Sequence, residues 1–260
     1  MPASSPPDAL RFAVIAGSGF AGLAAGAPAL VLTTAYGPPS APLRRIELGG
    51  RPVWLLARHG DPHVIPPHRV NYRANLRALQ MAGAAVVVAL NTVGAVHPRH
   101  APGELAVPDQ LIDYTYGRDH SIYDGESATL DHIDFTEPFC GRLRAGLLAA
   151  AAAARVACHD GGVYAVTQGP RLETAAEVNR LERDGADFIG MTAMPEAALA
   201  RELGMRYACL SLVVNRAAGR GERGIHEDIQ AATDTARERA LRVLGAFFGA
   251  GFAAALVDGG

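Results

Sequence analysis

The 260-residue chain contains no lysine, so arginine supplies all 24 of its Lys and Arg positions. This absence excludes Schiff-base catalysis, a lysine general base and the phosphate-binding lysine of a Walker-type loop. Only three cysteines are present, Cys140, Cys158 and Cys209, and no two of them are closely spaced. We therefore expect no disulfide framework and no zinc knuckle, and we predict a reducing, cytoplasmic location.

Long apolar runs and a strong net charge are also missing. No run reaches the roughly 20 residues of a membrane helix, and the first residues show no basic region followed by an apolar stretch. The net charge of −2 gives no electrostatic reason to expect a nucleic acid or an anionic membrane as partner. With 49% hydrophobic and 19% charged residues, the composition is typical of a globular protein.

Segments with strand and helix character alternate along the chain. Phe12–Ala16 and the run Ala84–Leu90 are typical of buried strands, whereas Val70–Met81 carries apolar residues at helical spacing. The same reasoning predicts strands over Leu43–Leu48, Pro52–Ala57, Leu105–Ile112, Gly162–Thr167, Phe188–Met191 and Tyr207–Val214, and helices over Phe139–Val156, Glu173–Asp184, Pro195–Leu203 and Ile225–Phe248. This alternation predicts an α/β fold with a central mixed, mainly parallel β-sheet flanked by helices.

The remaining segments set the predicted domain organisation. We expect a flexible tail over 1–10, a single domain over 11–250 and a C-terminal tail over 251–260. The polar stretch 113–137 shows little periodicity, and a loop of that length in a compact chain is usually functional or lies at an interface.

Polar residues follow several of the predicted strands, where ligands bind in open α/β sheets. They are Gly17-Ser18-Gly19, Arg58-His59, Asn91-Thr92, Gln168-Gly169-Pro170-Arg171, Met191-Thr192 and Asn215. A Gly-Ser-Gly turn lets backbone N–H groups approach an anion, and the arginine fork suits phosphate. Two of these motifs also have a plain structural interpretation when taken alone. Gly17-Ser18-Gly19 can be a tight turn, and Arg58-His59 can belong to a surface ion pair.

Three other kinds of chemistry have less support. No acidic residue lies about twenty positions after Gly17-Ser18-Gly19, which argues against a nicotinamide cofactor. His59 and His63 have helical spacing, but Gly60 and Pro62 interrupt any helix between them, so we expect no metal site. The chain has no Gly-x-Ser-x-Gly elbow, which argues against a serine hydrolase.

Taken in order, the motifs resemble those of the trimeric purine nucleoside phosphorylases and methylthioadenosine phosphorylases. The blocks that carry the resemblance are Ala57-Arg58-His59-Gly60, Val70-Asn71-Tyr72-Arg73-Ala74-Asn75, Gly169-Pro170-Arg171, Gly190-Met191-Thr192-Ala193-Met194-Pro195-Glu196 and Ser211-Leu212-Val213-Val214-Asn215. Two more, Tyr123-Asp124-Gly125 and Glu137-Pro138-Phe139-Cys140, resemble the methylthioadenosine branch. The resemblance extends from about Val14 to the final helix.

This family resemblance implies reversible phosphorolysis, in which inorganic phosphate displaces a purine from the anomeric carbon without a metal or organic cofactor. The implied phosphate ligands are Ser18, Arg58, His59, Asn91, Thr92 and Thr192. The implied nucleoside-binding residues are Met191, which would lie under the sugar, together with Asn215, Arg216, Ala217, Glu173, Leu172, His226 and His132. Asn215, Glu173 and His59 would be the catalytic residues, and the active form would be a homotrimer with sites at subunit interfaces.

The base site departs from the methylthioadenosine pattern. Arg171-Leu172-Glu173 stands where that branch has serines, and Asn215 stands where it has aspartate. Both differences resemble the branch that takes 6-oxopurines. A carboxylate at Glu173 can accept a hydrogen bond from the purine N1–H, and the amide of Asn215 can donate to O6 and N7. Glu173 can also be interpreted as a first-turn helix residue favoured by the helix dipole.

The pattern around the sugar is mixed. His226 matches a histidine near the 5′-hydroxyl in purine nucleoside phosphorylases, whereas His132 matches a residue that caps the 5′ end from the neighbouring subunit in the methylthio branch. Leu172 replaces a phenylalanine found in both branches. The combination resembles bacterial S-methyl-5′-thioinosine phosphorylases. Phosphorylases of inosine and guanosine or of methylthioadenosine, a nucleoside hydrolase and a non-catalytic nucleotide-binding protein remain alternatives.

Overall fold

The computed structural model describes residues 11–17, 19–125, 130–221, 229–253 and 256. The strands are β1 (Phe12–Ala16), β2 (Ala29–Leu30), β3 (Leu43–Leu48), β4 (Arg51–Ala57), β5 (Val86–Ala95), β6 (Leu105–Val107), β7 (Gln110–Asp113), β8 (Cys158–Asp160), β9 (Val163–Val166), β10 (Phe188–Gly190) and β11 (Arg206–Arg216). The α-helices are α1 (Tyr72–Met81), α2 (Gly141–Ala153), α3 (Ala175–Arg183), α4 (Ala193–Glu202) and α5 (Ile229–Gly249).

The sheet is built around β5. This strand pairs in parallel with β1 and β11, and its last residues pair antiparallel with β10. On the β1 side the order continues through β4, β3 and β2, and β10 leads to β9 and β7. Among the strand pairs of the described residues, six are parallel and four are antiparallel. The predicted mixed, mainly parallel sheet is therefore confirmed.

Helices cover both faces of this sheet because its central strands are apolar on both sides. Phe12 and Val14 of β1 pack in the cluster that contains residues of α2 and α5. Ala13 and Ile15, which point the other way, pack in the cluster that contains residues of α1 and α4. The alternation of side chains along a strand explains how one short segment contributes to both cores.

The structure extends two of the expected strands and divides a third. β5 runs to Ala95 and β11 to Arg216, so the polar residues expected after these strands lie within them. The segment predicted as one strand over Leu105–Ile112 is β6 and β7, separated by Pro108 and Asp109. Proline has no N–H to give to a sheet ladder, which accounts for the break.

The predicted long loop and the two predicted tails concern residues outside the helices and strands. The described parts of 114–140 contain no helix or strand, as the prediction of a long loop requires. Residues 1–10 and most of 251–260 lie outside the described residues, so the two tails stay predictions. None of the described helices has the length and apolar character needed to cross a membrane.

Candidate active site

A cavity of about 280 Å³ opens where β1 and β4 end and beside the later part of β5. Ten of the residues predicted for the site line it: Arg58, His59, Asn91, Thr92, Leu172, Glu173, Met191, Thr192, Asn215 and Ala217. They come from positions between 58 and 217, so the sheet topology is what brings them together. Gly17 also lines the cavity, and a Cβ at this position would lie 2.6 Å from the carbonyl oxygen of Leu90.

Arg58 is the fully buried cation of the cavity wall. Its Nε and Nη2 atoms donate to the two carboxylate oxygens of Glu196, the second bond measuring 3.0 Å, and Nη1 donates to the Leu90 carbonyl at 2.9 Å. Burial alone lowers the pKa of Arg58, but the Glu196 carboxylate outweighs this effect and the net direction is upward. A guanidinium has five N–H groups, so two remain for an anion in the cavity.

Glu196 is an important residue that the sequence reasoning did not assign. It is fully buried and also accepts a hydrogen bond of 2.8 Å from the Tyr207 hydroxyl. The signal was present, because Glu196 lies in the block that begins at Gly190 and is an acidic residue in an otherwise apolar helix start. A fully buried carboxylate needs a cationic partner, and Arg58 was the available candidate.

The amide of Asn91 connects β5 to β11 beneath the cavity. Its Oδ1 accepts from the Ser211 hydroxyl at 2.7 Å, and its Nδ2 donates to the Cys209 Sγ at 3.2 Å. All three residues are buried. Asn91 therefore lines the cavity with an amide that is already oriented by the protein.

His59 presents a neutral ring to the cavity. Its Nδ1 lies 2.8 Å from the Ile65 carbonyl oxygen, and since a carbonyl only accepts, Nδ1 carries the proton and Nε2 is the acceptor. Burial and then the charge of Arg58 lower the pKa of His59 to about 4. The ring of His63 stacks on it, with centroids 4.4 Å apart. His59 can thus accept a hydrogen bond from a protonated phosphate oxygen.

Two threonines line the cavity. Thr92 is a half-buried residue of β5. Thr192 is a buried residue that precedes α4, and its hydroxyl makes no capping hydrogen bond to that helix.

A β-bulge in β11 brings Asn215 to the cavity. The register against β5 shifts between Val213 and Asn215, so that Asn215 pairs with Gly94. Bulges change the direction of the side chains that follow them, and Val214 and Asn215 both line the cavity although they are neighbours in the strand. The Asn215 Nδ2 donates to the Arg216 carbonyl at 2.7 Å, leaving its second N–H and its Oδ1 for a ligand.

Glu173 lies on the same cavity, just before helix α3. The helix begins at Ala175 with Thr174 as its N-cap, so the interpretation of Glu173 as a first-turn residue is wrong. Its Oε1 accepts from the Thr167 hydroxyl at 2.6 Å, which leaves Oε2 for a second donor. Thr174 and Glu177 form a capping box, and it is Glu177 that occupies the first turn.

The apolar part of the cavity is formed by Leu172, Met191 and Ala217. Gly169 has a φ of +61°, and a Cβ there would lie 2.5 Å from the Met191 Sδ. The positive φ favours glycine at this position, and a side chain here would push the methionine away. Met191 is therefore held against the chain segment that leads to Glu173.

Four predicted residues are not brought to this cavity by the described structure. Ser18 and His226 lie outside the described residues. Arg216 does not line the cavity, and it contributes its carbonyl oxygen to the Asn215 amide. His132 is exposed and is not among the lining residues of this single chain. Among the described residues there is also no group of three or more His, Cys, Asp or Glu side chains that could hold a metal ion.

Comparison with known proteins gives three relevant similarities. A probable S-methyl-5′-thioinosine phosphorylase of Pseudomonas syringae pv. tomato is 55% identical over 191 residues, covering 74% of this chain and 78% of the relative. A 6-oxopurine nucleoside phosphorylase of Pyrococcus furiosus is 44% identical over 188 residues, covering 70% and 71% of the two chains. The crystal structure of a methylthioadenosine phosphorylase from an antarctic soil metagenomic library has a TM-score of 0.87 and 32% identity, covering 94% of this chain and 87% of the other.

The family assignment follows from a match that spans most of the fold. The model of the phosphorylase superfamily matches residues 11–249, which include every described strand and helix. The expected resemblance is therefore confirmed, and the chain belongs to the phosphorylase superfamily.

Proposed function

We propose that this protein catalyses phosphorolysis of S-methyl-5′-thioinosine to hypoxanthine and 5-methylthioribose 1-phosphate. The observation that carries the proposal is that Glu173 and Asn215 line the same cavity as Arg58, His59 and Thr192. The same cavity thus has groups for a 6-oxopurine and groups for an anion. The probable thioinosine phosphorylase that is 55% identical supports the choice of substrate.

The hydrogen bonds already present support a 6-oxopurine. The Thr167 hydroxyl occupies one oxygen of Glu173, so the other can accept from the purine N1–H. The Arg216 carbonyl occupies one N–H of Asn215, so the other can donate to O6 or N7. A 6-aminopurine has an acceptor at N1, so the free oxygen of Glu173 would face it without a hydrogen to accept. Mismatched buried hydrogen bonds discriminate strongly, by roughly 10⁴–10⁵-fold in favourable cases.

In the proposed reaction a phosphate oxygen forms a bond to the anomeric carbon as the bond from that carbon to purine N9 breaks. The electron pair of the broken bond stays with the purine. The purine takes a proton from water at a ring nitrogen, and the hydrogen phosphate releases its proton to water, so one proton is gained and one is lost. Arg58 and Thr192 hold phosphate, and neutral His59 accepts from a protonated phosphate oxygen. Asn215 stabilises the charge that develops on the base, so catalysis rests on positioning and preorganised electrostatics. No step requires a cofactor.

Inosine and guanosine are the second candidate substrates, because the Pyrococcus furiosus relative is a 6-oxopurine nucleoside phosphorylase. The two candidates share the base and differ in the 5′ substituent. Purified protein should be incubated with phosphate and, in parallel, methylthioinosine, inosine, methylthioadenosine and adenosine, with the released base identified. We expect the highest kcat/KM for methylthioinosine and no turnover without phosphate. Turnover at equal rate without phosphate would indicate a hydrolase instead.

Replacing Asn215 by aspartate tests the base assignment directly. We expect Asn215→Asp to lower kcat/KM for methylthioinosine by about 100-fold or more, because a carboxylate cannot donate to O6. The ratio of methylthioadenosine to methylthioinosine turnover should rise. Unchanged discrimination between the two nucleosides would contradict the assignment of Asn215.

We further propose a homotrimer located in the cytoplasm. Net charge close to zero does not oppose association, and His132 would reach the 5′ end of the nucleoside only from a neighbouring subunit. The location rests on the three cysteines, which are all unpaired and fit a reducing compartment.

A further inference from the structure

Arg118 is a buried arginine outside the cavity that makes an unusually large number of hydrogen bonds. It lies in the irregular segment that follows β7, and it is only 9% exposed. Its guanidinium donates to the carbonyl oxygens of Thr167 (3.2 Å), Gln168 (2.8 Å), Met191 (2.9 Å) and Met194 (2.6 Å), to the Gln168 Oε1 (3.1 Å) and to the Tyr72 hydroxyl (3.2 Å).

The charge of Arg118 is balanced by these oxygen atoms rather than by an acid. Within the described parts of the chain, no carboxylate oxygen lies within 4.0 Å of its nitrogens, in contrast to Arg58. A planar guanidinium with five donors can connect several carbonyl groups at fixed angles, which a lysine ammonium with three donors on a flexible stem cannot do. The arrangement therefore uses the shape of the side chain as well as its charge.

The hydrogen-bond partners of Arg118 lie in segments that also carry residues of the nucleoside site. Met191 lines the apolar part, and Thr167 is the residue whose hydroxyl donates to Glu173. Tyr72 donates in turn to the carbonyl of Pro67, which is another lining residue. None of these residues is a hydrogen-bond partner of Arg58, which donates to Glu196 and Leu90.

We propose that Arg118 is a positioning residue for the nucleoside, which sets the distance between the sugar-binding methionine and the base-binding carboxylate. The inference rests on the proposed function. Two arginines then have different roles in the site. Arg58 binds the phosphate, and Arg118 positions residues that bind the nucleoside. Loss of the Arg118 connections leaves the hydrogen bonds of Arg58 to Glu196 and Leu90 in place, because the two arginines share no hydrogen-bond partner.

The test is Arg118→Lys, assayed with methylthioinosine and phosphate varied independently. We expect the nucleoside KM to rise about 10–100-fold, as displacements near 1 Å in a binding site produce, while the phosphate KM changes less than about twofold. Arg242→Lys is the matched control, because Arg242 is exposed and donates to a single backbone carbonyl, that of Ala154, at 2.6 Å. This control should leave both constants unchanged.

The outcomes separate positioning from a merely structural role. Loss of folded protein lowers kcat per chain without changing KM, so a fall in kcat with unchanged KM values would overturn the inference. An equal rise in both KM values would do the same. If Arg118→Lys does not fold, Tyr72→Phe removes one acceptor of the network while keeping the ring, and it should raise the nucleoside KM alone. Absence of phosphorolysis by the unmodified protein would instead overturn the proposed function.

Discussion

Arg58 and Glu196 show how a single ion pair prepares the anion end of the cavity. Both side chains are fully buried, and removing two charges from water costs several kcal/mol for each ion. The pair offsets this cost with three hydrogen bonds from Arg58 and one to Glu196 from Tyr207. A guanidinium held in this way needs little reorganisation when phosphate enters, which is the condition for effective electrostatic catalysis.

Replacing Glu196 by glutamine should therefore destabilise the fold. We expect Glu196→Gln to lower the free energy of unfolding by about 3–5 kcal/mol, because the charge of Arg58 remains buried without its partner. Urea unfolding followed by circular dichroism measures the difference. The control is Glu177→Gln, since Glu177 forms a solvent-exposed pair with Arg171 at 2.7 Å, and such pairs contribute about 1 kcal/mol or less. Equal losses in the two variants would contradict this account of Glu196.

His59 should make stability depend on pH on the acid side of neutrality. Its pKa falls from 6.5 to about 4 on folding, so between these values the unfolded chain binds a proton that the folded protein does not. The contribution of His59 to the free energy of unfolding therefore decreases as the pH falls from 6.5 toward 4. The decrease is at most about 1.4 kcal/mol per pH unit. Above about pH 7.5 the ring is almost entirely neutral in both states and contributes almost no pH dependence.

The measurement compares wild type with His59→Asn by urea unfolding at pH 7 and pH 4.5. The asparagine amide can still donate to the Ile65 carbonyl, but it does not titrate. We expect the variant to lose less stability than wild type over this interval. A parallel decrease in the two proteins would show that His59 is not responsible.

Among the strands, the bulge in β11 and the glycine opposite it determine where the base is held. A Cβ at Gly94 would lie 3.1 Å from the Nδ2 of Asn215 and 3.5 Å from the Cα of Ala217. A side chain at this position would thus displace the amide by a few tenths of an ångström. The strand pairing itself would be kept, because alanine is compatible with an extended backbone.

We expect Gly94→Ala to raise the nucleoside KM several-fold and to leave the phosphate KM unchanged, since small displacements of a positioned group weaken binding steeply. Steady-state kinetics with each substrate varied measures both constants. Gly245→Ala is the control, because a Cβ at this position in α5 meets no atom within 4 Å. That variant should keep both KM values and gain up to about 1 kcal/mol in helix stability. An unchanged nucleoside KM in Gly94→Ala would show that Asn215 does not hold the base.

At the scale of the whole molecule, the proposed trimer predicts a mass and a complementation between subunits that a monomer would not show. Analytical ultracentrifugation should give three times the 27.1 kDa mass of the chain. His132→Ala and Asn215→Ala should each be weakly active with methylthioinosine. Refolding the two variants together should restore activity. A His132→Ala subunit keeps Asn215 in its pocket, and a neighbouring Asn215→Ala subunit can supply His132 to that pocket. No recovery on mixing would place the cap and the pocket in one subunit.

The fold class and most of the cavity lining could be predicted from the sequence. Short apolar runs of strand length alternate with segments of helical period. This pattern is visible within short stretches of the sequence, because it involves only residues that are close together in the chain. Motifs such as Arg58-His59 and Met191-Thr192 stand at strand ends, where α/β sheets bind ligands. Local spacing is therefore sufficient to identify both the class and the candidate residues.

Other features depend on contacts between distant positions, which no local pattern encodes. The bulge that directs Asn215 arises from pairing with Gly94, more than a hundred positions earlier. The ion pair of Arg58 with Glu196 joins residues 138 positions apart, and the six hydrogen bonds of Arg118 connect three separate regions of the chain. Residue types and order select the chemistry, whereas the packing of the sheet selects which polar groups have partners and which remain for a ligand.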